Sequence, residues 1–456
     1  MGNVYENIFR KYDIRGIYGK EVTETFAELL GKTFGSFLIR NGESEIIVGM
    51  DNRKSSPSIK KSLIEGLIST GVNVIDIGIV VTPIFYYATY LYKIKGGIMV
   101  TASHNPANYN GFKIQFGEGT IYGEQLLNLK EEMIKGDFIK GDFIKGSRYG
   151  YILERSPVEE YIKNIEEKIK LGDKKLKVVV DCGNGTASLF APEILKRLGC
   201  DVVPLYCISD AEFPNHFPDP TVEDNLIDLI KKVRIEKADL GIAYDGDGDR
   251  IGVVDETGRI IWGDMLMILF WREILPKYPN IDAIVEVKCS NALVEEIKKL
   301  GGKPFFYKTG HSLIKAKMQE INSPFTGEMS GHMFFRDEYY GFDDALYATA
   351  RLLRILSNTD KTLGELFYDI PKYFSTPEIR IPCKDEEKFQ KVEKAKKYFK
   401  EKNMDIITID GVRVNFKNGW GLIRASNTGE QLILRCESRD KNELKLIKRE
   451  LKKALI

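Results

Sequence analysis

The sequence predicts an α/β protein made of several similar mixed-sheet domains and closed by a smaller α+β domain. Three observations carry this. An apolar strand, a short polar turn and a helix recur three times, as EIIVGMDNRKSSPSIKKSLIEGL, KVVVDCGNGTASLFAPEILKRLG and AIVEVKCSNALVEEIKKLGG. Each is followed by another apolar stretch, VNVIDIG, DVVPLY or KPFFYK, as βαβ units with buried parallel strands require. From about 370 the pattern changes to a charged helix, alternating strands (ITIDGVRVNF, WGLIRASN, EQLILRCES) and a closing helix, DKNELKLIKRELKKAL. The lysines and glutamates of those helices recur at a spacing that makes a solvated face.

At 456 residues the chain exceeds the size at which one core stops growing, so three or four domains are expected. A boundary falls near 150. There IKGDFIKGDFIKG, a short tandem duplication read as a loop or helix-end insertion, gives way to Ser156-Pro157-Val158-Glu159. The latter reads as a capping box with proline in the first helical turn, ahead of a stripe of Val158, Tyr161, Ile162, Ile165 and Ile169.

The 67 basic and 66 acidic residues nearly cancel, which gives no general attraction to nucleic acid or an anionic membrane. No stretch approaches the roughly 20 apolar residues of a membrane span, and MGNVYENIFRKYDIRG has no apolar core of a secretion signal. A cytoplasmic location is expected. Cys182, Cys200, Cys207, Cys289, Cys383 and Cys436 show no paired CxxC spacing and read as reduced, mostly buried thiols.

In parallel or mixed sheets ligands bind beyond the carboxyl ends of the strands, so the turns are where chemistry is sought. DGDGDR, Asp245 to Arg250, follows the buried strand ADLGIAY. In extended chain, alternate spacing places Asp245, Asp247 and Asp249 on one side. At ~4 Å and an effective dielectric near 20, each like-charged pair costs about 4 kcal/mol unless a cation intervenes. All-oxygen ligands without neighbouring Cys or His favour Mg²⁺. A calcium loop fits less well. Glu256 falls on its twelfth position, but Arg250 stands where the sharp turn needs glycine, and a strand leads in. A solvated acidic turn leaves the interleaved arginine and glycines unexplained.

TASHNP, residues 101 to 106, ends another apolar strand and is followed by ANYNGFK. No GxSxG elbow surrounds Ser103, which argues against a hydrolase triad. A phosphorylated Ser103 would supply the further oxygen that a three-aspartate metal site lacks, with His104 and Lys113 as proton carriers or charge clamps. GEMSGH, residues 327 to 332, offers Glu328, Ser330 and His332 on alternate positions, suited to sugar hydroxyls. RASNTGEQ sets Arg424 beside Ser426, Asn427 and Thr428, with Gly429 letting amides converge in a phosphate nest. His104, His311 and His332 all sit in glycine-bearing polar motifs, whereas His216 in FPNHFPDP reads as a loop residue.

Together FRKYDIRG, TASHNPANYNGFK, DGDGDR, KTGHSLIK, GEMSGH and RASNTGE, in this order along essentially the whole chain, resemble the α-D-phosphohexomutase family, in its phosphomannomutase/phosphoglucomutase group. The resemblance implies four domains round a central cleft, three similar α/β domains and a C-terminal α+β domain of the TATA-binding-protein-like group. We expect these over residues 1–148 (phosphoserine loop), 149–254 (metal loop), 255–369 (sugar loop) and 370–456 (phosphate loop). It implies reversible phosphoryl transfer between the 1- and 6-positions of a glucose or mannose phosphate, through phosphoserine and a hexose 1,6-bisphosphate that also serves as activator.

Carried over by motif, Ser103 is the phosphoserine and holds Mg²⁺ with Asp245, Asp247 and Asp249. Glu328 and Ser330 bind sugar hydroxyls, with His332 nearby. Arg424, Ser426, Asn427 and Thr428 bind the distal phosphate. Tyr12, Arg15, His104, Lys113, Arg250, Lys288 and His311 line the cleft. Arg15, His104, Lys113 and His332 are candidates for general acid and base; an ordinary arginine stays protonated and is the weakest base among them. TAS and PAN stand where TGS and PPD are commoner, changing no role-bearing side chain. The alternatives are phosphoglucosamine mutase, against which Met329 and RASNTGE argue, a phosphosugar-binding regulator without turnover, and a metal-dependent phosphatase. A small phosphosugar is the expected partner, without nucleic acid or membrane, for a monomer or weak homo-oligomer.

Overall fold

A computed structural model describes residues 8–135, 149–426 and 429–455. The chain forms two compact units, Met1–Gly263 with Ser330–Leu366, and Asp264–Met329 with Phe367–Ile456.

The first unit holds two mixed sheets. One runs in the order Ile14–Ile17, Tyr109–Phe116, Gly96–Val100, Glu45–Met50, Asn73–Ile79 and Ile152–Glu154, with Gly119–Thr120 beside Tyr109–Phe116. Glu45–Met50 pairs in parallel with both Asn73–Ile79 and Gly96–Val100, as the βαβ pattern requires, while Tyr109–Phe116 returns antiparallel. Gly96–Val100 is buried throughout, which matches its uninterrupted apolar reading. The core beneath it is made by helices Glu24–Arg40 and Ser56–Ser69, where Gly31 and Gly66 permit close approach. A Cβ on Gly31 would stand 2.2 Å from the Leu63 carbonyl oxygen, and one on Gly66 2.1 Å from that of Glu28.

The second sheet runs Ile260–Ile261, Ile251–Asp255, Leu240–Tyr244, Lys177–Asp181, Asp201–Leu205. Leu240–Tyr244, Lys177–Asp181 and Asp201–Leu205 are parallel, and Ile251–Asp255 turns back antiparallel after the acidic loop. Helix Val158–Lys168 buries Tyr161, Ile162 and Ile165 as expected, but the capping box does not form. Pro157 occupies the cap and no side chain accepts a helix amide there, because the helix begins one residue later than the motif required.

In the second unit the third βαβ element, Asp282–Glu286, Asn291–Lys299 and Lys303–Tyr307, again gives a parallel pair. The C-terminal part is an antiparallel sheet in the order Phe374–Ser375, Gln431–Ser438, Gly419–Ala425, Val412–Asn415, Ile406–Ile407, with Ile379–Pro382 also on Gln431–Ser438. Helices Asp385–Glu401 and Lys441–Lys453 bury Val392, Ala395, Phe399, Ile447 and Leu451 against it and expose their charged faces. The predicted fold class, α/β mixed-sheet domains followed by an α+β domain, is the one observed. The tandem duplication lies largely outside the described residues.

Candidate active site

Ser103 stands three residues beyond the end of strand Gly96–Val100, with its backbone in the left-handed region at φ 50°. A non-glycine residue rarely takes this conformation, so the surroundings must impose it. Arg53, only 2% exposed, does so. Its Nη2 donates to the carbonyl oxygens of Ser103 and Asn105 at 2.8 and 2.7 Å, and its Nη1 to those of Pro106 and Tyr109 at 2.6 and 3.1 Å. Its Nε donates to Asp51 Oδ2 at 3.0 Å. One buried guanidinium thus spends all its donors on the serine loop and a carboxylate. Arg53 was not among the residues singled out from the sequence, although it lies in DNRKSS, the turn after strand Glu45–Met50.

The Ser103 hydroxyl donates to Asp245 Oδ2 at 2.8 Å and lies 3.1 Å from His104 Nδ1. Asp245, Asp247 and Asp249 are fully buried, with one carboxylate oxygen of each within 4.8 Å of the others. They converge through a tight turn rather than the extended chain expected. The amides of Asp249 and Arg250 fold back onto Asp245 Oδ1 at 3.0 and 3.1 Å, and Gly248 takes φ 73°. Gly246 is needed for a different reason, since a Cβ there would come 2.3 Å from the Ser103 carbonyl oxygen.

The charge of this triad is partly met. Lys113 donates to Asp247 Oδ2 at 2.6 Å and contacts Asp249, and Arg250 Nε donates to Asp245 Oδ2 at 3.0 Å. Thr82 Oγ1 adds a bond to Asp247 at 2.7 Å. Burial, and then the neighbouring Asp249 carboxylate, push the Asp245 carboxyl up to about 7. Burial works against the Lys113 ammonium, but Asp247 and Asp249 hold it well above its ordinary value. Burial, followed by Arg250, Arg15 and Lys113, drives the His104 imidazole well below its usual range, so it is neutral. Asp247 Oδ1 and Asp249 Oδ1 are buried without a hydrogen-bond donor among the described residues. Two such oxygens in a set of three carboxylates within 4.8 Å of one another, beside a serine oxygen and no soft ligand, fit a hard divalent cation.

Around this centre Arg15 Nη1 donates to Asn105 Oδ1 at 2.9 Å and Nη2 pairs with Asp13 at 2.7 Å. His332 Nδ1 lies 3.2 Å from Asp343 Oδ2 and 3.7 Å from Asp249 Oδ1. Tyr12 is buried beneath the Lys11 ammonium, 5.7 Å from the ring centroid, and Ser330 is half-buried. The first unit therefore gathers Ser103, His104, Lys113, Arg250, the aspartates and His332.

The second unit carries the rest. Glu328 Oε1 accepts from the Gly310 amide at 2.7 Å, one residue before His311, which opens helix His311–Glu320. Lys288 Nζ pairs with Glu378 at 3.0 Å and lies 3.8 Å from Glu286; although burial opposes its charge, these carboxylates hold it above the ordinary lysine value. Arg424 lies within strand Gly419–Ala425, not in the turn after it, and its Nε and Nη2 reach Asp410 Oδ2 at 3.1 and 3.0 Å. Lys388, also missed in the sequence, donates to the Ser426 carbonyl at 2.8 Å from beneath the loop. Asn427 and Thr428 lie outside the described residues. GEMSGH divides between the units, Glu328 in the second and Ser330 and His332 in the first.

A serine hydroxyl set on an acidic triad, backed by a buried lysine and arginine on repeated α/β domains, is the arrangement of a metal-dependent phosphoryl-transfer enzyme. Family models described as phosphoglucomutase/phosphomannomutase alpha/beta/alpha domains I, II and III match residues 6–140, 159–258 and 262–374, and that of the C-terminal domain matches 378–454. The chain belongs to the phosphoglucomutase/phosphomannomutase family. It is 45% identical over 442 residues to a phosphomannomutase/phosphoglucomutase of Pseudomonas aeruginosa, covering 97% of this chain and 94% of the relative. A phosphoglucomutase of Neisseria meningitidis is 39% identical over 454 residues, covering 99% of this chain and 97% of the relative. The crystal structure of a phosphoglucomutase/phosphomannomutase family protein from Burkholderia thailandensis superposes with a TM-score of 0.92 at 39% identity, covering 98% of this chain and 97% of that one.

Proposed function

We propose that this protein interconverts the 1- and 6-phosphates of glucose or mannose by way of a phosphoserine at Ser103. The observation that carries the reading is the 2.8 Å contact between the Ser103 hydroxyl and Asp245, in a loop that Arg53 holds in a left-handed turn. Phospho-Ser103 donates its phosphoryl group to the free hydroxyl of the substrate, giving a hexose 1,6-bisphosphate. That intermediate turns end for end and returns its other phosphoryl group to Ser103. At each transfer the oxygen–phosphorus bond to the acceptor forms as the bond to the donor oxygen breaks, and the proton of the attacking hydroxyl passes to a neighbouring imidazole, His104 or His332.

Asp245, Asp247, Asp249 and the Ser103 phosphate would hold Mg²⁺, which supplies Lewis-acid stabilisation of charge on the transferring group. Lys113 and Arg250 add fixed positive charge beside the same oxygens. Glu328 and Ser330 read a pair of sugar hydroxyls, and Arg424 and Ser426, with Asn427 and Thr428, hold whichever phosphate is not reacting. Tyr12, Arg15, Lys288 and His311 complete the substrate contacts. We infer further that hexose 1,6-bisphosphate primes Ser103, and that the protein works as a monomer or weak homo-oligomer in the cytoplasm. No helix among the described residues is long and apolar enough to cross a membrane.

Phosphorus NMR tests this. With Mg²⁺ and a trace of glucose 1,6-bisphosphate, glucose 1-phosphate and mannose 1-phosphate should convert to their 6-phosphates faster than glucosamine 1-phosphate does. Release of inorganic phosphate alone would overturn the mutase reading.

A further inference from the structure

The six cysteines are free thiols, and two of them meet. Cys182, at the end of strand Lys177–Asp181, and Cys207, just beyond strand Asp201–Leu205, bring their sulfurs to 3.4 Å. The backbone around them is already stitched. The Cys182 amide donates to the Leu205 carbonyl at 3.3 Å, the Asn184 amide to Tyr206 at 2.8 Å, and Asn184 Nδ2 to Ile208 at 2.8 Å. A disulfide here needs no distant segments to come together; it needs the sulfurs to close to about 2.05 Å.

We propose that Cys182 and Cys207 are an oxidisable dithiol that a hydroperoxide converts to a disulfide, slowing phosphoryl transfer reversibly. The two thiols are unequal. Cys182 is fully buried, whereas Cys207 is half-buried beside Ile208, which is 82% exposed. The Cys207 thiol donates toward Cys182 Sγ and the Val180 and Leu205 carbonyl oxygens, at 3.4, 3.2 and 3.3 Å, and burial raises the Cys182 thiol well above its ordinary value. Greater access marks Cys207 as the residue attacked first. Cys200 and Cys436 differ, since burial pushes each up to about 12. Among the described residues no third metal-ligating side chain joins the pair in a group that could hold an ion, which favours redox chemistry over metal binding.

The chemistry balances. The Cys207 thiolate attacks hydrogen peroxide, the O–O bond breaks, and the departing hydroxide takes a proton to leave as water, giving a sulfenic acid. The Cys182 sulfur then attacks the Cys207 sulfur. The S–O bond breaks, a second water carries away the Cys182 proton, and the peroxide has accepted the two electrons lost by the thiols. The effect reaches the triad through backbone. Thr186, four residues after Cys182, donates its amide to the Gly246 carbonyl at 2.9 Å, and a Cβ on Gly185 would meet Gly246 at 3.1 Å. Drawing Cys182 about 1 Å toward Cys207 moves the turn against which the aspartate loop is packed, and displacements of that size cost catalytic sites up to about 100-fold.

The test is peroxide titration of the reduced, full-length enzyme, followed by alkylation and peptide mass mapping, with kcat measured on the same samples. The expected result is a linked peptide pair containing Cys182 and Cys207, a fall in kcat of at least about fivefold, and recovery of both with dithiothreitol. C182S should leave a dimedone-reactive sulfenic acid at Cys207, and C207S should keep its activity under peroxide. Absence of the linked peptides, equal oxidation of Cys200, or linkage without a change in kcat would each overturn the proposal. Only the activity readout rests on the mutase function. If the reduced enzyme fails to isomerise any hexose phosphate, that function falls while the mass map still reports on the dithiol.

Discussion

Replacing Arg53 by lysine should damage turnover far more than substrate affinity. The guanidinium makes five hydrogen bonds, to Asp51 and to the carbonyls of Ser103, Asn105, Pro106 and Tyr109. An ammonium has three donors, so at least two of the five acceptors, three of them part-buried, lose their partner. At about 0.5–1.5 kcal/mol for each part-buried bond, the variant gives up about 1–3 kcal/mol of local stability. The loss falls on the loop that keeps Ser103 at φ 50°, a conformation its own residue type disfavours. Once the loop relaxes, the Ser103 oxygen leaves its 2.8 Å position on Asp245, and kcat should fall by about 100-fold. The KM for glucose 1-phosphate should change by less than about threefold, because no substrate contact is removed. A coupled assay reading glucose 6-phosphate formation through a dehydrogenase, run well below the melting temperature of the variant, measures both. Wild-type kcat in a folded R53K protein would refute the claim that Arg53 sets the serine loop.

Two other perturbations probe the distal phosphate site and a buried acid apart from the serine loop. Arg424→Ala should raise the KM for glucose 1-phosphate by about 10- to 100-fold, the worth of a charge-assisted phosphate contact, while leaving the Mg²⁺ concentration for half-maximal activity unchanged. Equal losses in both, measured by titrating substrate and metal in turn, would contradict separate roles. Asp344 caps helix Ala345–Ser357 and accepts from the hydroxyls of Tyr161 and Tyr339 at 2.9 and 2.8 Å, yet burial pushes its carboxyl up to about 6. A folded-state value above the unfolded one means that stability from this acid is greatest below pH 4 and is lost as pH rises through 6. Wild type should therefore lose on the order of 3 kcal/mol relative to Asp344→Asn between pH 4 and pH 7. Denaturant midpoints of the two proteins across that range check it, and a wild type that holds or gains stability relative to Asp344→Asn as pH rises would contradict it.

The legible part of the molecule was whatever depends on local pattern. Three strand–turn–helix units could be read because parallel strands are apolar on both faces, and the turns after them hold Ser103 and the aspartates, as open sheets require. The illegible part depends on long-range closure. Arg53 lies 50 residues from Ser103 in sequence and looks like any turn arginine; nothing local says that its donors end on the serine loop. The aspartates were expected in extended chain, but the amides of Asp249 and Arg250 bond back to Asp245 and wind the segment into a turn. The capping box at Ser156 failed because a favourable four-residue pattern cannot fix where a helix starts when tertiary packing of Tyr161 and Ile165 sets its position. The Cys182–Cys207 contact was hidden for the same reason as Arg53, since adjacent strands, not sequence neighbours, bring the sulfurs together.

Ser103 is proposed to carry the phosphoryl group in transit. Phosphopeptide mapping after incubation with glucose 1,6-bisphosphate and Mg²⁺ tests it most directly. A single phosphate should appear on Ser103, and none in Ser103→Ala; a label carried in it should pass into glucose 6-phosphate when unlabelled glucose 1-phosphate is added, while Ser103 is phosphorylated again from the substrate. A phosphate on any other residue that turns over with substrate, or a Ser103→Ala protein with wild-type activity, would contradict it.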